Sequence, residues 1–291
     1  MRAVVIGTSG QLATELRRQH ASTQLELAPA ERVDLAQPQQ VRALLDRLEP
    51  KLVINAAAYT AVDRAESEPL QAAAVNTDGP AQLARWCAAN GAALLHVSTD
   101  YVFDGQKSGP YTEDDATEPM SVYGRTKLGG EVAVRGALER HVILRTSWVF
   151  SAHGQNFVKT MLRLARERDE LRVVADQHGR PTSAADLARV LWVLAERWAT
   201  GDALPWGTYH FAGQGSTTWH GFAQAIVKEQ APFTAREPRV TPITTADYPT
   251  PARRPANSVL DTSRFESSFG LSPRPWLDDL REVVQQLATS T

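Results

Sequence analysis

Tyr123 and Lys127 stand four residues apart in Tyr123-Gly124-Arg125-Thr126-Lys127. On a helix that spacing puts both side chains on one face. An ammonium beside a phenol favours the phenolate and lowers the phenol pKa from about 10 toward working pH. A phenol so tuned is a suitable general acid for protonating a carbonyl oxygen as hydride reaches its carbon. Taken alone, the pair reads equally well as a surface helix pair. The segment Ser98-Thr99-Asp100-Tyr101 changes the balance. It closes a predicted strand and sets a hydroxyl at a strand carboxyl end, where ligands bind in parallel sheets.

Upstream, Gly7-Thr8-Ser9-Gly10-Gln11-Leu12-Ala13 joins an apolar run to a helical pattern. Gly7 permits a tight turn, and Gly10 lets the backbone approach a pyrophosphate at a helix N-terminus. Ala13 is small enough for close helix–strand packing. The second strand is followed by Ala28-Pro29-Ala30-Glu31-Arg32, with no carboxylate at its end for the ribose hydroxyls. Arg32 suits a 2′-phosphate, or equally is a solvated loop charge. The first option favours NADPH over NADH. Asp34, with Leu35, stands where an adenine amino group could be met.

These residues need a sheet to position them. Ala3–Ile6, Lys51–Asn55, Ala93–Val97 and His141–Arg145 are apolar runs of the kind buried on both faces of a sheet. Leu25–Leu27 and Arg32–Leu35 are shorter strand candidates. Helical patterns cover Gln11–His20, Pro38–Leu48, Pro80–Asn90 and Val122–Val134, with Gly91 just past a helix end. Strands alternating with helices predict an α/β fold with a Rossmann-like, doubly wound parallel sheet. Residues 1–150 are expected to form the NAD(P)-binding domain. Residues 151–291 are expected to supply mainly a smaller α/β substrate-binding domain, with parts of about 180–215 returning to the sheet. Further helices are predicted over Ala184–Trp198 and Thr218–Lys228, and an ordered, Pro-rich loop system over Arg239–Ala256.

Composition excludes several function classes. Lys plus Arg is 31 and Asp plus Glu is 33 over 291 residues, a net charge of −2. No global basic field exists for a nucleic acid or an anionic membrane. No apolar run approaches the roughly 20 residues of a membrane span. Met1-Arg2 precedes too short an apolar run for an export signal, so a cytoplasmic location is expected. The single cysteine, Cys87, reads as a buried filler. The seven histidines, His178, His210 and His220 among them, show no metal-ligand spacing. Val190–Leu194 with Trp198 is an apolar helical stretch. It suits the core or, in a homodimer, a second copy.

The glycine turn, Asn55-Ala56-Ala57-Ala58-Tyr59-Thr60, Ser98–Gly105 and the Tyr-x-x-x-Lys pair resemble the extended short-chain dehydrogenase/reductases. Within that family, five further segments resemble its reductases of dTDP-linked 4-keto sugars. They are Ala61–Glu66, Arg145–Phe150, Asn156–Met161, Asp176–Thr182 and Thr250–Ser258. The resemblance covers essentially the whole chain, in order. It implies reduction of the 4-keto group of dTDP-4-dehydro-L-rhamnose by NAD(P)H, giving dTDP-L-rhamnose for surface polysaccharide. It assigns the keto oxygen to Thr99, the proton to Tyr123, and tuning of Tyr123 and the nicotinamide ribose to Lys127. Gly7, Gly10, Gln11, Leu12, Arg32, Asp34, Leu35, Ala57, Ala58, Tyr59, Thr60 and Val97 are then expected to line the cofactor. Asp100, Trp148, Asn156 and Arg254 are expected to meet the sugar nucleotide. An accessory Mg²⁺ between glutamates at a dimer interface is a family feature, and Glu15 matches one such position. A solvated carboxylate is the better reading of Glu15.

Three rival readings remain. An epimerase of the same family would show no net NADPH consumption. A dehydratase needs an Asp-Glu pair after the hydroxyl, where this chain has Asp100-Tyr101. A non-catalytic regulatory subunit keeps the fold without the reaction.

Overall fold

A computed structural model describes residues 1–234 and 236–289. Strand and helix alternate from the start: β1 (Arg2–Ile6), α1 (Gln11–Gln19), β2 (Glu26–Leu27), α2 (Pro38–Leu48), β3 (Leu52–Asn55), α3 (Val62–Ala65) and α4 (Pro69–Ala73). A π-helical turn, Ala74–Asp78, leads into α5 (Gly79–Asn90), β4 (Ala93–Thr99), α6 (Val122–Ala137) and β5 (His141–Thr146). Next come β6 (Val149–Phe150), α7 (Phe157–Glu167), β7 (Glu170–Val174), β8 (His178–Gly179), β9 (Thr182–Ser183) and α8 (Ala184–Ala199). The chain ends with β10 (Gly207–His210), β11 (Thr217–Thr218), α9 (Trp219–Thr234), β12 (Arg239–Ile243), α10 (Ser263–Phe269) and α11 (Trp276–Thr289).

Six strands form one sheet in the order β10-β5-β4-β3-β1-β2, and every pairing in it is parallel. The chain reverses direction across the sheet between β1 and β3. That is the topological switch point of a doubly wound fold, where strand ends leave a crevice. The apolar runs explain the layers. Alternate residues of β1, β3, β4 and β5 face α1 and α8 on one side. The others face α2, α5 and α6 on the other. A separate cluster joins α7, α9 and α11 to β7. The stretch Val190–Leu194 belongs to the core of the first side, and Trp192 Nε1 donates to the Leu16 carbonyl at 2.8 Å. Cys87 is fully buried, and burial pushes its thiol up to about 12, so it is inert. Among the described residues, no helix is long and apolar enough to cross a membrane.

Two expectations fail. Arg32–Leu35 is not a strand: Asp34 accepts from the Ala36 amide at 2.9 Å through its side chain and from Gln37 at 2.9 Å through its carbonyl. That local bonding competes with a ladder. The Pro-rich segment is not all loop, because Arg239–Ile243 is β12, paired in parallel with β7. Pro242 is tolerated there because an edge strand has one row of amides unpaired.

Helix α6 matters most for the site. Ser121 caps it, accepting from the Gly124 amide at 3.1 Å, and Glu66 accepts from the Val122 amide at 2.8 Å. A Cβ on Gly130 would lie 2.2 Å from the Asn76 carbonyl oxygen, so the helix seats only because that side chain is absent. Gly136, in the same helix, meets nothing within 4 Å. Gly130→Ala is predicted to destabilise the protein by about 1–3 kcal/mol through overpacking. Gly136→Ala is predicted to stabilise it by about 0.5–1 kcal/mol. Thermal melts of both check the pair, and equal effects would contradict this packing.

Candidate active site

The carboxyl ends of β1, β3, β4 and β5 open into one cavity of about 600 Å³. Its first wall is the glycine turn. Gly7 adopts φ +114°, a conformation that favours glycine. Gly10 begins α1, with no side chain bonded to the first-turn amides and no atom within 4 Å of where a Cβ would point. Free amides at a positive helix end, reached without steric obstruction, fit a pyrophosphate. Arg17 sits one turn after Ala13 and ties the turn from beneath. It donates to the carbonyls of Gly7 (2.6 Å), Thr8 (3.4 Å) and Ala13 (3.1 Å). Gln11 bridges to the second half, donating to Val149 O at 3.2 Å and accepting from Asn156 at 2.9 Å.

The opposite wall carries the reactive groups. Thr99 ends β4 and lies level with Thr146 of β5. Its hydroxyl accepts from the Tyr101 amide at 3.2 Å and donates to Asp100 Oδ1 at 3.0 Å. Lys127 is buried, and its Nζ donates to the Val97 carbonyl at 2.7 Å. Burial brings the Lys127 ammonium down to about 8, against the attraction of Glu131. Burial raises the Asp100 carboxyl to about 6, opposed by the nearby Ser258 hydroxyl and by the hydrogen bond from Thr99. Burial also pushes the Tyr123 phenol up to about 12, opposed by the nearby Thr99 hydroxyl and assisted by the Asp100 charge. This corrects the expectation of a lowered phenol. Desolvation disfavours the phenolate more than Thr99 stabilises it, and Lys127 spends its ammonium on a backbone carbonyl.

Trp148 closes the cavity at the join of the two halves. It has φ +48° and stacks on Trp219 with ring centroids 3.6 Å apart and planes 10° from parallel. A Cβ on Gly179 would come within 2.4 Å of the Trp148 ring. Both indoles line the cavity, an apolar surface suited to a sugar or base, and the missing Gly179 side chain leaves Trp148 its place.

Of the residues singled out in the sequence, the cavity gathers Gly7, Gly10, Gln11, Leu12, Ala57, Ala58, Thr60, Val97, Thr99, Asp100, Tyr123, Lys127 and Trp148. Others lie outside it. Tyr59 turns its phenol to Glu68 at 2.8 Å, while Asn76 holds its amide. Arg32 and Asp34 are exposed, and Leu35 is packed in the core beneath Gly79. Asn156 caps α7, accepting from the Lys159 amide at 3.0 Å, and touches the cavity only through Gln11. Arg254 makes a bidentate pair with Asp63, at 3.0 and 2.8 Å, which occupies the fork expected to hold a diphosphate. Glu15 faces two cationic or polarisable partners, Arg18 and His153, each 3.3 Å away. Among the described residues of this one chain no group of three His, Cys, Asp or Glu side chains gathers for a metal. The sequence reading missed Thr146, Ser147 and Trp219, which line the cavity, and Arg17 beneath it. Helical spacing from Ala13 was a signal for Arg17. Trp219 had none, because a distant helix delivers it.

A parallel doubly wound sheet with a glycine turn facing a strand-end hydroxyl and a Tyr-x-x-x-Lys helix defines an extended short-chain dehydrogenase/reductase. Within that class, the family model described as RmlD substrate binding domain matches residues 1–289, and the chain belongs to that family. A dTDP-4-dehydrorhamnose reductase of Sinorhizobium fredii is 46% identical over 290 residues, spanning 99% of this chain and 98% of that one. The crystal structure of a dTDP-4-dehydrorhamnose reductase from Clostridium acetobutylicum superposes with a TM-score of 0.91 at 38% identity, covering 99% of each chain. One from Bacillus anthracis, in complex with NADP, superposes at 0.89 and 32% identity, covering 98% of this chain and 99% of that one.

Gly179→Ala is predicted to push the Trp148 indole off Trp219. Near-ultraviolet circular dichroism should lose the signal of the coupled pair while far-ultraviolet signal stays. An unchanged near-ultraviolet spectrum would contradict this geometry.

Proposed function

We propose that the cavity reduces the C4 keto group of dTDP-4-dehydro-L-rhamnose to the alcohol of dTDP-L-rhamnose, with NADPH as the reductant, in the cytoplasmic supply of a nucleotide sugar for surface polysaccharide. The relatives' activity and the NADP held by the Bacillus anthracis protein support this reading. The observation that carries it is the gathering of Thr99, Tyr123 and Lys127 on one cavity wall, with Lys127 one turn beyond Tyr123 on the same helix.

NADPH supplies hydride to C4. The free amides at Gly10, on a turn braced by Arg17, would hold its pyrophosphate, and the Lys127 ammonium would hold its nicotinamide ribose. When the substrate binds, the Thr99 hydroxyl turns its one proton from Asp100 Oδ1 to the keto oxygen and fixes its direction. Tyr123 then gives that oxygen its proton. A phenol raised to about 12 is fully protonated at pH 7, which is the form a proton donor needs, and it remains a stronger acid than the alcohol it forms. Asp100 receives a sugar hydroxyl, and Trp148 covers the sugar face. A net balance of one NADPH and one proton per keto group follows.

Wild-type protein given the 4-keto sugar nucleotide is expected to oxidise NADPH in equal amount, read as lost absorbance. Tyr123→Phe is expected to slow turnover by about 10²–10⁴-fold with NADPH binding retained. No oxidation by wild type, or full activity in Tyr123→Phe, would overturn the reading. NADPH consumption also separates it from an epimerase and from a non-catalytic subunit.

A further inference from the structure

Glu131 follows Lys127 by one helical turn and is fully buried. It takes no part in the mechanism above. Its carboxylate accepts from Ser98 Oγ at 2.6 Å and Arg145 Nε at 2.9 Å on Oε1, and from Arg145 Nη2 at 2.7 Å and Arg135 Nη1 at 3.1 Å on Oε2. A buried carboxylate with this many donors stays ionised, and Arg145 with its neighbours holds it below the usual carboxylate range despite burial. The last residues of β4 meet α6 at successive stations. The Val97 carbonyl holds Lys127, the Ser98 hydroxyl holds Glu131, and Thr99 lines the same cavity as Tyr123.

We propose that Glu131 is a positioning residue for the reaction: its buried negative charge, anchored by Ser98 and Arg145, keeps Lys127 an ammonium at the pH of turnover. The inference rests on the reductase reading for its purpose, but not for its physics. Other groups around Lys127 do not supply the charge. On β4, His96 is buried and its imidazolium is strongly disfavoured, so it is neutral. On β5, His141 is likewise held below its usual value, and Arg145 is itself a cation. His210 of β10 is down to about 3, hence neutral. Tyr101 and Tyr123 are protonated, since burial raises both phenols. Asp100 carries charge only above about 6 and spends it on Thr99. Arg135 is a further cation, bound to Glu131. Without Glu131, burial alone acts on Lys127, and its proton leaves at lower pH.

Lysine-selective ¹³C NMR of the protein without cofactor, assigned with Lys127→Arg, tests this directly. The wild-type Lys127 midpoint is expected near 8. Glu131→Gln is expected to lower it by about one unit or more, and to move the alkaline limb of kcat down equally. Ser98→Ala, which removes the hydroxyl but leaves the charge, is expected to leave the midpoint in place. A merely structural Glu131 would cost activity at every pH without moving the midpoint. If Glu131→Gln does not fold, the Glu131→Gln/Arg145→Met variant avoids a buried unpaired guanidinium, and comparison with Arg145→Met alone isolates the carboxylate: the double variant is expected to have the lower midpoint. An unmoved midpoint in the folded variant, or an equal shift in Ser98→Ala, overturns the proposal. The titration uses neither NADPH nor sugar, so its outcome is separate from that of the reductase assay.

Discussion

The seating of α6 against the end of β4 is the contact on which the rest of the site depends. Tyr123 and Lys127 come from the helix, and Thr99 comes from the strand. Their mutual distances are therefore set by how closely the two elements approach. Glycines permit the approach: a Cβ on Gly124 would lie 2.2 Å from the Tyr101 carbonyl oxygen, and one on Gly129 would lie 2.7 Å from the Thr77 hydroxyl. The buried Glu131–Arg145 pair then fixes the position along the helix axis. Such a pair is expensive to desolvate, and its bidentate geometry with the Ser98 bond offsets that cost.

Charge is handled locally throughout. The chain is close to neutral, yet the proposed cofactor and substrate are both anionic. The free amides at Gly10 face the cavity over a turn that the Arg17 guanidinium braces from beneath, and Lys127 lines the same cavity. Burial keeps Tyr123 protonated and Lys127 close to its midpoint, so the two are opposite cases of one desolvation effect. The cavity needs no lowered phenol pKa to donate a proton.

The parts legible in the sequence are those that local rules govern. Apolar runs marked the buried strands, the glycine turn marked the first wall, and the i,i+4 spacing put Tyr123 and Lys127 on one face. The illegible parts depend on distant partners. Arg254 looked free for an anion, but Asp63, 191 residues away along the chain, takes its fork. Asn156 looked like a sugar contact, but capping α7 uses its oxygen. Arg32–Leu35 alternated like a strand, but the Asp34 side chain turned it. The direction of the Tyr123 shift was also hidden, because spacing shows a neighbouring charge and not the depth of burial.

The central claim is that this cavity transfers hydride from NADPH to the sugar's C4 while Tyr123 supplies the proton. Its most direct test uses NADPH carrying deuterium at both C4 positions of the nicotinamide, with the product sugar analysed by mass spectrometry and NMR. The account predicts one deuterium in each product molecule, bound to C4 of the sugar. A product without deuterium, or with deuterium at any other carbon, would contradict it.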